Sequence, residues 1–203
     1  MNALIHDGKT QDNILLAMTS QISTYGWTLQ CLEQAVIDLG FAEGEAKRAF
    51  QGNLDYVFDH LIEMIDRQMG ECLETVDLSS YRVRDRVVFL IMLRLKLMRP
   101  YRDLLSQAIK HQSFSGSLKN LSQKFFGTVS NIWYTAGDQA TDFNYYSKRF
   151  LLSGVYASTF LYWLQDDSLN FAKTQIFLEN RIDQVMKVSS WLRRFKSVTK
   201  NVN

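Results

Sequence analysis

The chain has 203 residues, 46% of them hydrophobic, so it can bury one good core or two small ones. One proline and ten glycines are few for an all-β protein, and two cysteines, Cys31 and Cys72, provide neither a disulfide framework nor metal-ligand spacing. Residues 1–80 hold four basic and thirteen acidic residues (−9), whereas residues 81–203 hold nineteen and eight (+11), which favours an anionic partner for the second half, either membrane phosphates or nucleic acid.

The chain shows no targeting or membrane-spanning pattern. Its first residues, MNALIHDGKTQDN, lack the apolar run of a secretory signal and the arginine-rich pattern of a transit peptide. The longest apolar run, near 150–164, contains Ser153, Gly154 and Ser158 and is shorter than the roughly 20 residues that span a bilayer. We therefore expect a soluble or membrane-peripheral protein.

The first 80 residues predict a helix-turn-helix. After a helix with an apolar stripe at Ile14 to Ile22, Thr28 can cap a second helix that Gly40 ends. The segment GEAKRAF predicts a short helix, and Asn53 can cap the long helix that begins LDYVF. A helix, a glycine-containing turn and a short second helix form a helix-turn-helix unit.

The remaining residues predict four more helical segments and no strand. Apolar residues recur at helical intervals, and alternation typical of strands never lasts long enough to compete. Pro100 should split the first segment near Arg99. The fold class is therefore all-α, with helices predicted at 83–109, 118–134, 143–165 and 170–198.

This layout resembles the tetracycline-repressor (TetR) family of regulators, which implies a DNA-binding N-terminal unit and a ligand-binding domain. We expect domains at 1–78 and 79–184, followed by a terminal amphipathic helix at 185–203. DNA binding is not expected, because phosphate contacts need basic residues and Gly26 to Gly52 carries two against four acidic ones. A repressor with a hydrophobic inducer remains the alternative.

The segment YTAGDQATDFNYYSKR, from Tyr134 to Arg149, is too rich in polar and aromatic groups for a plain connector. Asp138 and Asp142 form a carboxylate pair, but no histidine lies near them in sequence, and the Glu and Glu-x-x-His pairs of a di-iron bundle are missing. A helix-capping role for one of these aspartates is the simpler alternative. We expect no catalytic residue, metal site or cofactor.

This segment resembles the signature block of the ubiquinone (coenzyme Q) biosynthesis accessory family, the ninth Coq protein of mitochondria and its bacterial relatives. In that family a tryptophan precedes an AGD-x-S-T-D-x-N-aromatic-Tyr-x-(Lys/Arg)-Arg block. Ala140 replaces the usual serine, and Tyr145 replaces a common tryptophan at a position of partner contact. The matching residues are Trp133, Ala136, Gly137, Asp138, Thr141, Asp142, Asn144, Tyr146 and Arg149.

The resemblance implies a partner, the di-iron hydroxylase that acts late in ubiquinone synthesis. Tyrosine is common at binding hot spots, because it buries a large area at little entropic cost. We expect the partner-binding residues to be Ile132, Tyr134, Asp138, Asp142, Asn144, Tyr145, Tyr146 and Arg149.

The segment FLLSGVYASTFLYWL is apolar on nearly all faces and should be buried. An ordinary core or dimer helix is one interpretation. The resemblance implies a cavity for an isoprenoid lipid, a ubiquinone precursor, and the two interpretations are compatible. The expected lining is Phe89, Met92, Leu93, Leu97, Phe150, Tyr156, Phe160, Trp163, Leu164 and Phe177.

The last helix, VMKVSSWLRRFKSVTK, gathers apolar residues on one side and five cations on the other. This pattern is typical of helices that lie in a membrane interface, although a solvated face on a packed helix would look similar. The expected membrane-binding residues are Trp191, Leu192, Arg193, Arg194, Phe195, Lys196 and Val198.

Together these features predict a non-catalytic accessory protein of ubiquinone biosynthesis. It would bind an isoprenoid quinone intermediate, present it to the hydroxylase and act as a homodimer. We expect it at the cytoplasmic face of a bacterial inner membrane, or at the matrix face of the mitochondrial inner membrane if it is organellar.

Overall fold

The computed structural model describes residues 8–42, 44–114, 118–137 and 143–200, with side chains described except at 112–121, 143–148 and 187–200. Within these ranges the fold is all-α, as predicted, and contains no strand. None of the described helices is both long and apolar enough to cross a membrane. The α-helices are α1 (Gly8–Tyr25), α2 (Leu29–Asp38), α3 (Glu45–Phe50), α4 (Leu54–Leu73), α5 (Val83–Leu97), α6 (Arg102–Phe114), α7 (Leu118–Thr135), α8 (Phe143–Trp163) and α9 (Ala172–Lys200).

Local capping signals set several of these bounds. The Thr28 hydroxyl accepts a hydrogen bond from the Cys31 backbone N–H (3.2 Å), and the Asn53 side chain accepts one from Asp55 (2.9 Å). Gly40, just beyond α2, has φ +75°, a conformation that favours glycine. Pro100 lies in a short 3₁₀ turn that separates α5 from α6. The predicted caps and the predicted split are therefore confirmed.

The chain divides into two compact units. Unit 1 comprises Met1–Val76 and Lys96–Leu121, and unit 2 comprises Asp77–Leu95 and Ser122–Asn203. The predicted boundary after residue 78 lies close to Val76, where the first segment of unit 1 ends. The prediction put the residues of α6 in the second domain, whereas they belong to unit 1. α9 is one helix from Ala172 to Lys200, in agreement with the helix predicted at 170–198, so residue 185 is not a helix boundary.

Unit 1 is built around α1, which packs against α2, α4 and α6. The stripe predicted from Ile14 to Ile22 is buried in this core. α6 joins it by burying Leu104, Leu105 and Ala108, while the Gln107 side chain donates a hydrogen bond to the carbonyl of Ile22 (3.0 Å). These long-range contacts explain why α6 belongs to the N-terminal unit although the unit 2 segment Asp77–Leu95 precedes it in the chain.

Unit 2 has an aromatic core along α8. Phe125 of α7 contacts Tyr156 and Phe160, with ring centroids 5.4 and 5.7 Å apart. Trp163 continues the row at 5.5 Å from Phe160. The buried Arg94 of α5 donates a hydrogen bond from Nε to the Tyr156 hydroxyl (3.1 Å), so the polar end of this tyrosine is satisfied inside the core.

Candidate functional site

The signature segment begins where α7 ends. The backbone N–H groups of Ala136 and Gly137 donate to the carbonyls of Ile132 (2.9 Å) and Tyr134 (3.0 Å), and Gly137 has φ +89°. The residue just past the helix thus has the left-handed backbone conformation that favours glycine. The start of the block is therefore shaped by a glycine C-cap.

Arg86 of α5 fixes the same point from outside the helix. Its guanidinium donates hydrogen bonds to three backbone carbonyls: Ala136 (3.1 Å), Tyr81 (2.9 Å) and Ser79 (3.0 Å). A β-carbon added at Gly137 would lie 3.0 Å from Arg86 Nη1. One side chain thus ties the end of α7 to the segment that leads into α5. Sequence reasoning missed this residue, because an arginine that binds distant carbonyls leaves no local pattern.

The structure distinguishes among the predicted partner-binding residues. Tyr134 is 81% exposed, so it is available for contact. Ile132 and Arg149 are only 2% and 4% exposed. For these two residues the structure corrects the expectation, because each lies on the core side of its helix. Asp138 and Asp142 lie outside the described residues, as do the side chains of Asn144, Tyr145 and Tyr146, and their role remains a prediction.

Unit 2 contains an apolar cavity of about 250 Å³. Its walls come from α5, α7, α8 and α9, and two of its lining residues, Val83 and Met186, are about half exposed, so it reaches the surface beside them. Aliphatic and methionine side chains form most of the lining. The residues are Val83, Arg84, Val87, Trp133, Leu151, Leu152, Val155, Ile182, Val185 and Met186.

Arg84 is the one charged residue in this described lining. Its Nε and Nη2 lie 2.8 and 2.7 Å from the same carboxylate oxygen of Asp183 on α9, and its Nη1 lies 3.2 Å from Asp85. The hydrogen bond with Asp183 raises the pKa of Arg84, so the guanidinium stays charged at every physiological pH. An ion pair therefore joins α5 to α9 next to the apolar cavity.

None of the ten residues predicted to surround the lipid lines this cavity. Met92, Tyr156, Phe160 and Trp163 are buried in the core instead, and Phe150 is 76% exposed, which corrects its predicted place in an enclosed lining. Phe89 is also partly exposed, Leu93, Leu164 and Phe177 are half-buried, and Leu97 falls in unit 1. Most of the predicted residues lie on α5, α8 and α9, which also contribute to the cavity, but on other faces of these helices. Two pairs of apolar residues at i, i+4 spacing, Val83 with Val87 and Leu151 with Val155, could have indicated the helix faces that line the cavity.

Two kinds of reactive site can be assessed in the described part of the chain, a metal cluster and a thiolate. That part of the chain holds no group of three or more His, Cys, Asp or Glu side chains placed to bind a metal ion. Cys31 is buried, and burial raises the pKa of its thiol to about 11, so it is not a thiolate nucleophile at neutral pH.

Comparisons with known proteins agree with the signature block. Residues 118–189 match the family model described as COQ9. Ubiquinone biosynthesis protein COQ9-B, mitochondrial, from Xenopus laevis is 30% identical over 92% of this chain and 66% of its own length. The probable ubiquinone biosynthesis protein coq9, mitochondrial, from Dictyostelium discoideum is 30% identical over 82% of this chain and 56% of its own length. The human COQ9 protein is 27% identical over 92% of this chain and 61% of its own length.

The chain spans roughly three fifths of the length of these curated relatives. Among solved structures, a TetR transcriptional regulator from Nitrosomonas europaea superposes with a TM-score of 0.73 over 88% of this chain and 98% of its own. At 19% identity this likeness shows the fold alone. The predicted resemblance is thus confirmed: the chain is a relative of the COQ9 ubiquinone biosynthesis family and has a TetR-like all-α fold.

Proposed function

We propose that the protein is a non-catalytic, membrane-peripheral accessory protein of ubiquinone biosynthesis, which binds an isoprenoid quinone intermediate and presents it to the di-iron hydroxylase. The apolar cavity of unit 2 is the observation that carries this proposal. The names of the relatives support the pathway, and their description as mitochondrial favours an organellar site of action.

The cavity has the size and chemistry for one end of such a lipid. An apolar cavity of about 150 Å³ in another protein binds benzene, so about 250 Å³ holds a substituted ring or a short length of chain. Each methylene group removed from water contributes about 0.8 kcal/mol. A polyprenylated ring is too apolar to cross water unaided, and a cavity that opens at the protein surface lowers that barrier.

The proposed presentation of the lipid to the hydroxylase rests on the start of the signature block. Tyr134 is highly exposed on the last turn of α7, and the helix end beside it is held by Arg86 and by the conformation of Gly137. A rigid helix end that displays an aromatic side chain suits a binding hot spot, because little conformational freedom is lost on association. We place the hydroxylase contact here.

The TetR-like fold raises the alternative of a DNA-binding repressor, but the chemistry of α3 disfavours it. α3 is only six residues long, and its Arg48 pairs with Glu45 at 3.0 Å. Phosphate binding requires cations that are available to the duplex. A repressor would be recognised by duplex binding that weakens steeply as salt is raised.

Filling the cavity tests the proposed function directly. Val155 is buried in the cavity wall, and Val155→Phe would displace about three or four methylene-sized groups of a ligand, which weakens binding on the order of 100-fold. The measurement is native mass spectrometry with lipid extraction. We expect the unaltered chain to retain a polyprenyl quinone or a precursor and Val155→Phe to lose it.

Leu161→Phe serves as the matched control, because Leu161 lies on the same helix but is exposed. It should retain the lipid, and both variants should keep the thermal unfolding of the parent within a few degrees. Retention of the same lipid by Val155→Phe would mean that this cavity is not the binding site.

A further inference from the structure

Arg84 gives the apolar cavity one strong hydrogen-bonding group. Two of its five N–H groups donate to Asp183 and a third to Asp85, which leaves two for a ligand. A purely hydrocarbon occupant beside Arg84 would remove water from these donors without replacing the lost hydrogen bonds, at a cost of binding affinity. A ligand oxygen would satisfy them.

The charges around Arg84 decide which kind of oxygen is favoured. One guanidinium faces two carboxylates, so the cluster carries a net charge of −1. A phosphate or carboxylate head would find no unpaired positive charge and would be repelled by Asp183 and Asp85. A neutral carbonyl, hydroxyl or methoxy oxygen can accept a hydrogen bond from Arg84 without that repulsion.

The size of the cavity limits how much of the ligand it can enclose. About 250 Å³ is below the usual range for pockets that enclose a whole ligand, roughly 300–1,000 Å³, and far below what a long isoprenoid chain needs. Most of the chain must therefore leave through the opening beside Val83 and Met186. Arg84 follows Val83 in the chain and its partner Asp183 is about half exposed, so the ion pair lies near this opening, where a ligand oxygen can reach it.

We propose that the cavity binds a neutral oxygen-bearing head group of an isoprenoid lipid, with Arg84 as the hydrogen-bond donor and Asp183 as the residue that excludes anionic heads. This inference rests on the proposed lipid binding and adds to it the class of head group and the residues that select it.

Two probes with the same tail and different heads test this specificity. Farnesol carries a neutral hydroxyl group and farnesoic acid a carboxylate. Trp133 lines the cavity, so titration can be followed by tryptophan fluorescence and checked by calorimetry. We expect the parent protein to bind farnesol roughly ten-fold more tightly than farnesoic acid, and Asp183→Asn to abolish or reverse that preference.

Glu179→Gln removes the same charge one helical turn earlier on α9, outside the cavity lining, and should leave the preference unchanged. Asp85→Asn is a second variant that keeps the ion pair between α5 and α9, so it guards against loss of folding, and it should shift the preference in the same direction as Asp183→Asn. Thermal unfolding of each variant accompanies the titration.

The outcomes separate this inference from the proposed function. Equal affinity of the parent protein for both probes, with no change in Asp183→Asn or Asp85→Asn, would overturn the head-group specificity and leave lipid binding standing. Binding of neither probe, together with the absence of extracted lipid, would overturn both.

Discussion

Asp166 lies in the turn between α8 and α9 and is almost completely buried. Its Oδ2 accepts hydrogen bonds from the backbone N–H (2.8 Å) and the hydroxyl (2.6 Å) of Thr174, and its Oδ1 accepts one from the backbone of Ser168 (2.8 Å). Burial alone would raise the pKa of Asp166, but the hydrogen bonds from Ser168 and Thr174 outweigh burial and hold that pKa well below its ordinary value. A single carboxylate thus organises the start of α9.

Asp166→Asn should destabilise the protein at neutral pH. The asparagine amide would place an N–H₂ group against backbone and hydroxyl donors, which leaves a buried donor unsatisfied and lowers the free energy of unfolding by about 1–3 kcal/mol. Urea unfolding at pH 7 measures this difference. Glu63→Gln, on the exposed face of α4, is the control and should have little effect.

The difference between the parent and Asp166→Asn should itself depend on pH. Because the folded pKa is lower than the ordinary value of 3.8, the carboxylate contributes its full stabilisation well above pH 3.8. That contribution is lost as the pH falls through 3.8 towards the folded pKa. The gap in unfolding free energy should therefore be constant from pH 7 to about pH 5 and narrow below about pH 4. A gap that widened on acidification would contradict this account.

At the scale of elements, Arg86 links three segments of unit 2: the end of α7, the start of α5 and the turn that contains Ser79 and Tyr81. Lysine carries the same charge but presents a single ammonium group rather than a planar fork, so it cannot reach three carbonyls at once. Arg86→Lys should therefore loosen the end of α7 and the turn together, although the net charge is unchanged.

Amide hydrogen exchange measures this loosening. Loss of one or two hydrogen bonds to a charged group costs about 1.5–3 kcal/mol each, which predicts at least ten-fold faster exchange for the amides of Ala136, Gly137 and Tyr81. Arg82→Lys is the matched control, because Arg82 is exposed on the same turn. If both variants exchanged like the parent, the carbonyl contacts of Arg86 would not hold these segments together.

At the scale of the whole molecule, the sequence predicted what local rules determine. The caps at Thr28 and Asn53 and the interruption at Pro100 depend on neighbours a few residues away, and each was found where it was expected. α6 belongs to unit 1 because it is buried against α1, and no local sequence pattern indicates this long-range contact.

The candidate site was predicted only in part, for the same reason. The signature block was found, because its residues are contiguous. The residues predicted to surround a lipid do not line this cavity, because large aromatic side chains such as Phe160 and Trp163 fill the core and leave the open space to smaller aliphatic ones such as Val155. The Arg84–Asp183 pair joins residues 99 positions apart, and the sequence alone could not pair them.

The division of charge along the chain leads to a prediction about membranes. α9 continues to Lys200, so Arg193, Arg194 and Lys196 lie on one helix, as expected, and we propose that they contact anionic lipid. Each basic residue near such a surface contributes about 1 kcal/mol. Replacing all three by glutamine, which keeps a good helix former, should weaken binding to phosphatidylserine-containing vesicles by about 100-fold.

Vesicle sedimentation measures this binding, which should also fall as salt is raised, since exposed charges are screened. The matched control replaces three exposed lysines elsewhere, Lys96, Lys110 and Lys173, by glutamine and changes the net charge by the same amount. If that control weakened binding as much as the first triple variant, attraction would come from net charge rather than from the end of α9. If the control bound nearly as well as the parent and the first triple variant did not, the membrane contact would be assigned to the end of α9. That end follows the last cavity-lining residues, Val185 and Met186.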